Sequence, residues 1–216
     1  MNKYYEEFME LFSKNLKDRC VIWALEQVRE GRLTIPELYS DVLVPSLYSI
    51  DDCPEDSPGC IWDEHVKTSI IRTIIETLYP TVIKLAGESE KKGKKIVLTC
   101  PEKEYHEIGL RIVADFFQIN GYDVIFVGSN TPRAQIWEVI RSEKPDYVGI
   151  SVTDHYLLSE AKKIMERIKD ECTKDVKILL GGQAFRKNPH TVEDFGADLY
   201  IETYEDVLSL GKEEDK

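Results

Sequence analysis

Glu104-Tyr105-His106-Glu107-Ile108-Gly109 places a carboxylate, an imidazole and a glycine at spacings that suit metal ligation. Glu104, two residues before the imidazole, can accept a hydrogen bond from one ring nitrogen, which leaves the other for a metal. Gly109 removes a side chain where a bulky group would approach the backbone. Taken alone, such a loop histidine is more often a capping or surface residue, so three further stretches bear on it. Gly128-Ser129-Asn130-Thr131-Pro132 offers Thr131 as a helix cap and Pro132 as a first-turn residue. Ser151-Val152-Thr153-Asp154-His155 supplies small hydroxyls, and Gly181-Gly182-Gln183-Ala184-Phe185 opens with two residues that have no side chain. Brought to one edge, these stretches make a floor of small groups around His106, suited to a large flat ligand. Neither GxGxxG nor GxxxxGK[ST] occurs, so ordinary dinucleotide or nucleotide binding loses its support.

The elements that must position these residues are short apolar runs alternating with helical ones. The runs are Ile96 to Thr99, Val124 to Val127, Tyr147 to Val152, Ile178 to Leu180 and Leu199 to Ile201. Amphipathic segments start near Tyr105, Pro132, Leu157, Asn188 and Tyr204. This alternation predicts a doubly wound, Rossmann-like (flavodoxin-like) five-stranded parallel sheet over residues 91–216. Loops after parallel strands open on one edge, where such folds bind ligands. Residues 1–90 carry the helical period instead and predict a four-helix bundle, if the run through Phe8, Phe12, Cys20, Ala24 and Val28 is broken in two. Thr34-Ile35-Pro36-Glu37 has the pattern of a capping box, and Pro45 is expected to kink the helix that follows. The long helix from Ile61 is expected to be kinked or interrupted at Pro80, and Gly87 to Lys95 has linker composition.

Composition narrows the function classes. Forty acidic against 28 basic residues give a net charge of −12, which repels phosphate backbones, so direct nucleic-acid binding is not expected. The five cysteines contain no CxxC pair and read as those of a reducing, cytoplasmic chain. Cys53 and Cys60, seven apart in a polar loop, have metal binding or oxidative pairing as readings beside that of two free thiols. No signal-peptide core and no run of about 18 apolar residues is present, so no membrane association is expected.

Glu104-x-His106-x-x-Gly109, Ser151-x-Thr153 and Gly181-Gly182, in that order, resemble the signature of the cobalamin-binding domain shared by methionine synthase, methylmalonyl-CoA mutase and their relatives. The resemblance spans about residues 95–211. It implies that His106 is the lower axial ligand of cobalt, replacing the dimethylbenzimidazole of the cofactor, with Glu104 behind it. It further implies that the displaced nucleotide tail enters a channel lined by Ser151, Thr153, Gly181 and Gly182, with Tyr105 and Gly128 beside the pocket. Glu104 stands where the enzymes usually have Asp, which keeps the charge and lengthens the reach.

By the same resemblance the helical domain is a cap over the upper corrin face. Glu64-His65-x-x-x-Ser69 is most similar to the cap of light-responsive cobalamin regulators. Those proteins usually have a tryptophan about ten residues before the Glu-His pair, where Pro54 and Glu55 stand here, so Trp62, Glu64 and His65 become the candidate upper-face residues. Three functions follow as expectations. The first is a stand-alone sensory or regulatory protein, responsive to ligand or light, that acts through a protein partner. The second is a corrinoid methyl carrier serving methyltransferases, and the third a cobalamin store or delivery protein. The sequence leans narrowly to the sensor. The expected cofactor is adenosylcobalamin or methylcobalamin, the expected partner a regulator or methyltransferase, and homo-oligomers fit any of the three. No autonomous catalysis is expected, and no side chain is assigned a catalytic role.

Overall fold

The structure, a computed structural model, describes residues 2–50, 60–172, 175–186 and 190–214. Cys53, Pro54 and Glu55 lie outside these, and so does the side chain of Cys60, with the readings attached to them. Contacts divide the chain into two compact units, residues 1–84 and 85–216.

The first unit is helical. Asn2 caps α1 (Lys3–Phe12) by accepting the Tyr4 N–H, and Phe8 and Phe12 are fully buried with their rings stacked 5.3 Å apart. The first apolar run does break in two, at Asn15, whose φ of 55° ends α1 and lets α2 (Lys17–Arg29) bury Cys20 and Ala24. The capping box forms as read: Thr34 and Glu37 satisfy each other's backbone N–H groups at the start of α3 (Ile35–Leu38). Beyond it the expected kink at Pro45 takes another form. Tyr39–Leu43 winds as a π-helical turn before α4 (Val44–Tyr48). A proline lacks the N–H for the carbonyl four residues back and crowds it, and a widened turn accommodates both. Ser46 Oγ donates to the Val42 carbonyl at 2.7 Å within this segment.

α5 (Cys60–Glu88) is the long helix, and it runs unbroken through Pro80. One missing N–H removes a single rung, while Ile70, Ile71, Ile74, Ile75, Leu78 and Val82 bury the face that holds the helix in place. The helix takes in Gly87 and Glu88, so the expected linker is partly helical. The remainder is tied down, with Lys92 N–H donating to the Gly121 carbonyl at 3.1 Å.

The second unit is a five-stranded, wholly parallel sheet in the order β2-β1-β3-β4-β5, made of β1 (Lys95–Pro101), β2 (Asp123–Thr131), β3 (Tyr147–Ser151), β4 (Lys177–Gly181) and β5 (Leu199–Tyr200). Its helices are α6 (Ile108–Ile119), α7 (Arg133–Glu143), α8 (Leu158–Glu171), the short α9 (Gln183–Arg186) and α10 (His190–Phe195), and α11 (Tyr204–Glu214). The central strands β1 and β3 are buried almost throughout, as strands covered on both faces must be. The strand order reverses between β1 and β3, the switch point where such sheets bind ligands.

One difference from the sequence reading matters for the site. β2 does not end at Val127 but continues to Thr131, pairing Thr99 with Gly128 and Pro101 with Thr131 across two register shifts. Thr131 is accordingly buried and donates back to the Gly128 and Ser129 carbonyls instead of capping α7. The cap position belongs to Pro132, which was expected in the first turn. Bulges supply the shifts, so turn-forming residues stay within a strand here.

Candidate functional site

At the end of β1 the chain turns sharply: Glu104 N–H donates to the Pro101 carbonyl at 3.0 Å, and Lys103 within the turn is left-handed at φ 73°. The turn directs Glu104 inward, where it is 1% exposed. Its carboxylate is shared between two loops. Oε1 accepts the His106 backbone N–H at 3.0 Å and lies 2.6 Å from His106 Nδ1. Oε2 accepts the N–H groups of Thr153 at 2.8 Å and Asp154 at 3.0 Å. Burial pushes the acid's pKa up, but hydrogen bonds from the His106 ring and from the Asp154, His106 and Thr153 amides outweigh it and hold the pKa down at about 2.

An ionised carboxylate is only an acceptor, so Nδ1 carries the proton and the lone pair for ligation falls to Nε2. The His106 side chain is 55% exposed, which leaves the ring reachable. A single imidazole backed by a carboxylate is a weak site for a bare cation but a sound axial ligand for a metal held by a macrocycle. Among the described residues, no cluster of three or more His, Cys, Asp or Glu forms a metal site. That donor set fits the corrin-bound cobalt implied by the sequence.

The surrounding glycines divide by what requires them. A Cβ on Gly109, near the start of α6, would meet no atom outside its own helical turn within 4 Å, so packing against the rest of the protein does not require glycine there. Gly182 is required by the fold: its φ is +97° and a Cβ would overlap the Val152 carbonyl. Gly181 pairs with Ser151 across β4 and β3, and a Cβ on it would lie 2.7 Å from the Ile201 carbonyl. Gly128 lies in β2 against the Glu107 carboxylate, 2.8 Å from where its Cβ would be.

The structure therefore brings Glu104, His106, Thr153, Ser151, Gly181 and Gly182 to one sheet edge through shared hydrogen bonds and strand register. Thr153 contributes its backbone N–H to Glu104, and Ser151 is 8% exposed. Tyr105 is 67% exposed beside them. His155 is exposed in a 3-10 turn capped by Asp154, and the His190 side chain is not among those described. Cys100 is buried with its thiol pKa pushed well up, by burial first and then by the charges of Glu104 and Glu107.

Two residues of this edge escaped the sequence reading. Glu107 accepts the Ser129 N–H at 2.9 Å, and Asn130 accepts the Lys103 N–H at 2.9 Å. The available signal was an asparagine after Gly-Ser, since asparagine tolerates left-handed backbone and bonds neighbouring amides.

In the helical unit, Trp62, Glu64 and His65 occupy the first turns of α5. Trp62 is 61% exposed, His65 is exposed and Glu64 half-buried. Trp62 and His65 are three residues apart and share a helix face. Asp63 between them is anchored, accepting from Asn15 Nδ2 at 2.8 Å and Lys67 Nζ at 2.6 Å.

Residues 94–209 match the family model described as B12 binding domain. The chain is 29% identical over 154 residues to trimethylamine corrinoid protein 1 of Methanosarcina acetivorans, a match covering 70% of each. It is 23% identical over 147 residues to the HTH-type transcriptional repressor CarA of Myxococcus xanthus, covering 68% of this chain and 49% of that protein. Among solved structures, the monomethylamine corrinoid protein of Methanosarcina barkeri has the same fold, with a TM-score of 0.80 over 98% of both chains at 17% identity.

Proposed function

The chain belongs to the B12-binding domain family and binds cobalamin, and from that premise we propose that it is a corrinoid methyl carrier working with methyltransferase partners. The observation that carries this reading is the 29% identity to a trimethylamine corrinoid protein across 70% of both chains. The balance between carrier and sensor thus moves from the narrow lean of the sequence toward the carrier.

The cofactor supplies a cobalt that can accept and give up a methyl group. His106 would supply a nitrogen to hold that cobalt, and Glu104 sets which nitrogen that is. With Nδ1–H donating to an anionic carboxylate, the imidazole is locked in one tautomer and made a better donor at Nε2. The Thr153 and Asp154 amides hold the carboxylate from its far side, so the histidine is oriented through two layers of contacts. Ser151, Gly181 and Gly182 line the edge where the nucleotide tail is proposed to enter, and Gly109 and Gly128 are proposed to flank it, with Tyr105 at the exposed side. We assign Trp62, Glu64 and His65 to the upper face. Residues 1–90 are proposed as the cap and 91–216 as the cofactor domain.

Similarity to CarA and the Glu64-His65 pair on α5 favour a second reading, a sensor acting through a regulator. One experiment separates the two. The protein is loaded with methylcobalamin and given a cognate methyltransferase with a thiol acceptor; rapid transfer of the methyl group is expected. No transfer, combined with a change in oligomeric state on green light in the adenosylcobalamin form, would overturn the carrier in favour of the sensor.

A further inference from the structure

The His106 loop is gripped on a side that plays no part in the Glu104 hydrogen bonds to the loop after β3. Lys103 sits at φ 73° and Asn130 at φ 49°, two of the four left-handed non-glycine residues among those described. Such backbone costs of order 1 kcal/mol per residue and persists where surrounding contacts impose it. Here the two residues hold each other. The Lys103 N–H donates to Asn130 Oδ1 at 2.9 Å, and the Asn130 N–H donates to the Glu104 carbonyl at 2.7 Å. Four residues on, Glu107 reaches back across the same gap, its Oε2 accepting the Ser129 N–H at 2.9 Å. Its side chain also fills the space where Gly128 lacks a Cβ.

The loop between β1 and α6 is thus fastened to the bulged end of β2 at both of its ends, with His106 between the fastenings. We propose that Asn130 and Glu107 are positioning residues for the cobalt ligand, forming a brace that holds the His106 backbone while Glu104 orients its ring. The brace explains why β2 runs on past Val127. Only a strand carried through its bulges sets Ser129 and Asn130 level with the loop after β1. It also accounts for the turn, because a lysine in a position that favours glycine is held there by an acceptor outside the turn.

This inference rests on the reading of His106 as cobalt ligand, and its test keeps the two apart. Cob(II)alamin is bound to the protein and its electron paramagnetic resonance recorded, since an axial nitrogen splits the signal. Asn130→Gly removes the acceptor without disfavouring the left-handed backbone, and Glu107→Ala removes the other fastening. Each should lower the ratio of nitrogen-ligated to unligated cofactor about fivefold, the effect of losing roughly one hydrogen bond. Asn130→Asp and Glu107→Gln keep an acceptor oxygen and should restore ligation. In cofactor-free protein, amide exchange should quicken at Lys103 in Asn130→Gly and at Ser129 in Glu107→Ala, with circular dichroism unchanged. Full ligation in both the glycine and alanine variants would overturn the brace, whether or not exchange quickens. A wild-type spectrum lacking nitrogen splitting, or one that His106→Ala leaves unchanged, would instead overturn the reading of His106 itself.

Discussion

Two histidines, His106 at the carboxyl edge of the sheet and His65 on the first turns of α5, are both exposed, yet their surroundings differ in kind. His106 is fixed by a carboxylate that is itself held by three backbone amides, inside a loop bonded to the end of β2 and to the loop after β3. His65 has no side-chain hydrogen bond or ion pair to another described residue, and neither has Trp62; only Asp63 between them is anchored. The difference teaches where geometry is built in beforehand. Orienting the proposed metal ligand through a second layer of hydrogen bonds is done by the fold itself. Exposed side chains on a helix face take their arrangement from whatever they meet, and related proteins with different outputs can differ there at little cost in stability.

The comparison can be broken by substitution. The largest effect is expected from Gly182→Ala, which forces a side chain into the Val152 carbonyl at a left-handed φ. A loss of about 3 kcal/mol or more in chemical denaturation is expected, and a near-normal unfolding midpoint would refute the rigidity claimed for this edge. Glu104→Gln should come next, at about 3 kcal/mol near pH 7. Because the folded pKa is lowered from 4.5 to about 2, the carboxylate's contribution is full above about pH 4.5 and disappears as the pH falls toward 2. The gap between wild type and variant should therefore narrow from pH 7 to pH 3, and a constant gap would mean the carboxylate is not held in this way.

Gly109→Val sharpens the contrast between fold and ligand. Since a Cβ there meets nothing outside its own helical turn within 4 Å, stability should change by at most about 1 kcal/mol, the cost of a β-branched residue in a helix being small. Cobalamin affinity should nevertheless fall at least tenfold in equilibrium titration; unchanged affinity would remove Gly109 from the site. The smallest effect belongs to the other region. Trp62→Ala and His65→Ala should each alter the stability of the cofactor-free protein by no more than about 0.5 kcal/mol, as exposed substitutions do. A larger loss would show that this face is already organised.

Much of this was legible in the residues. Buried parallel strands announce themselves as continuous apolar runs, and the Glu104-x-His106 pair could be read because its partners are two residues apart. The capping box at Thr34 was equally local. What escaped depends on distant backbone. Thr153 appears in the sequence as a hydroxyl, yet the group it gives Glu104 is its amide, which every residue but proline has. Gly128-Ser129-Asn130 has the composition of a turn, and only pairing with β1 across two register shifts keeps it in the strand. Pro45 and Pro80 carry the same local signal and meet different outcomes, a π-helical turn and an unbroken helix, which residue type alone does not distinguish.

Cys100 has a consequence for a chain proposed to handle an activated methyl group. Thiolates are strong nucleophiles toward such carbon, and this sulfur lies 3.8 Å from the carbonyl of the proposed cobalt ligand. Burial and two nearby carboxylates keep it protonated. Kept as a thiol that donates to the His106 carbonyl, this sulfur is spent on holding the loop and takes no part in such chemistry while the loop is folded.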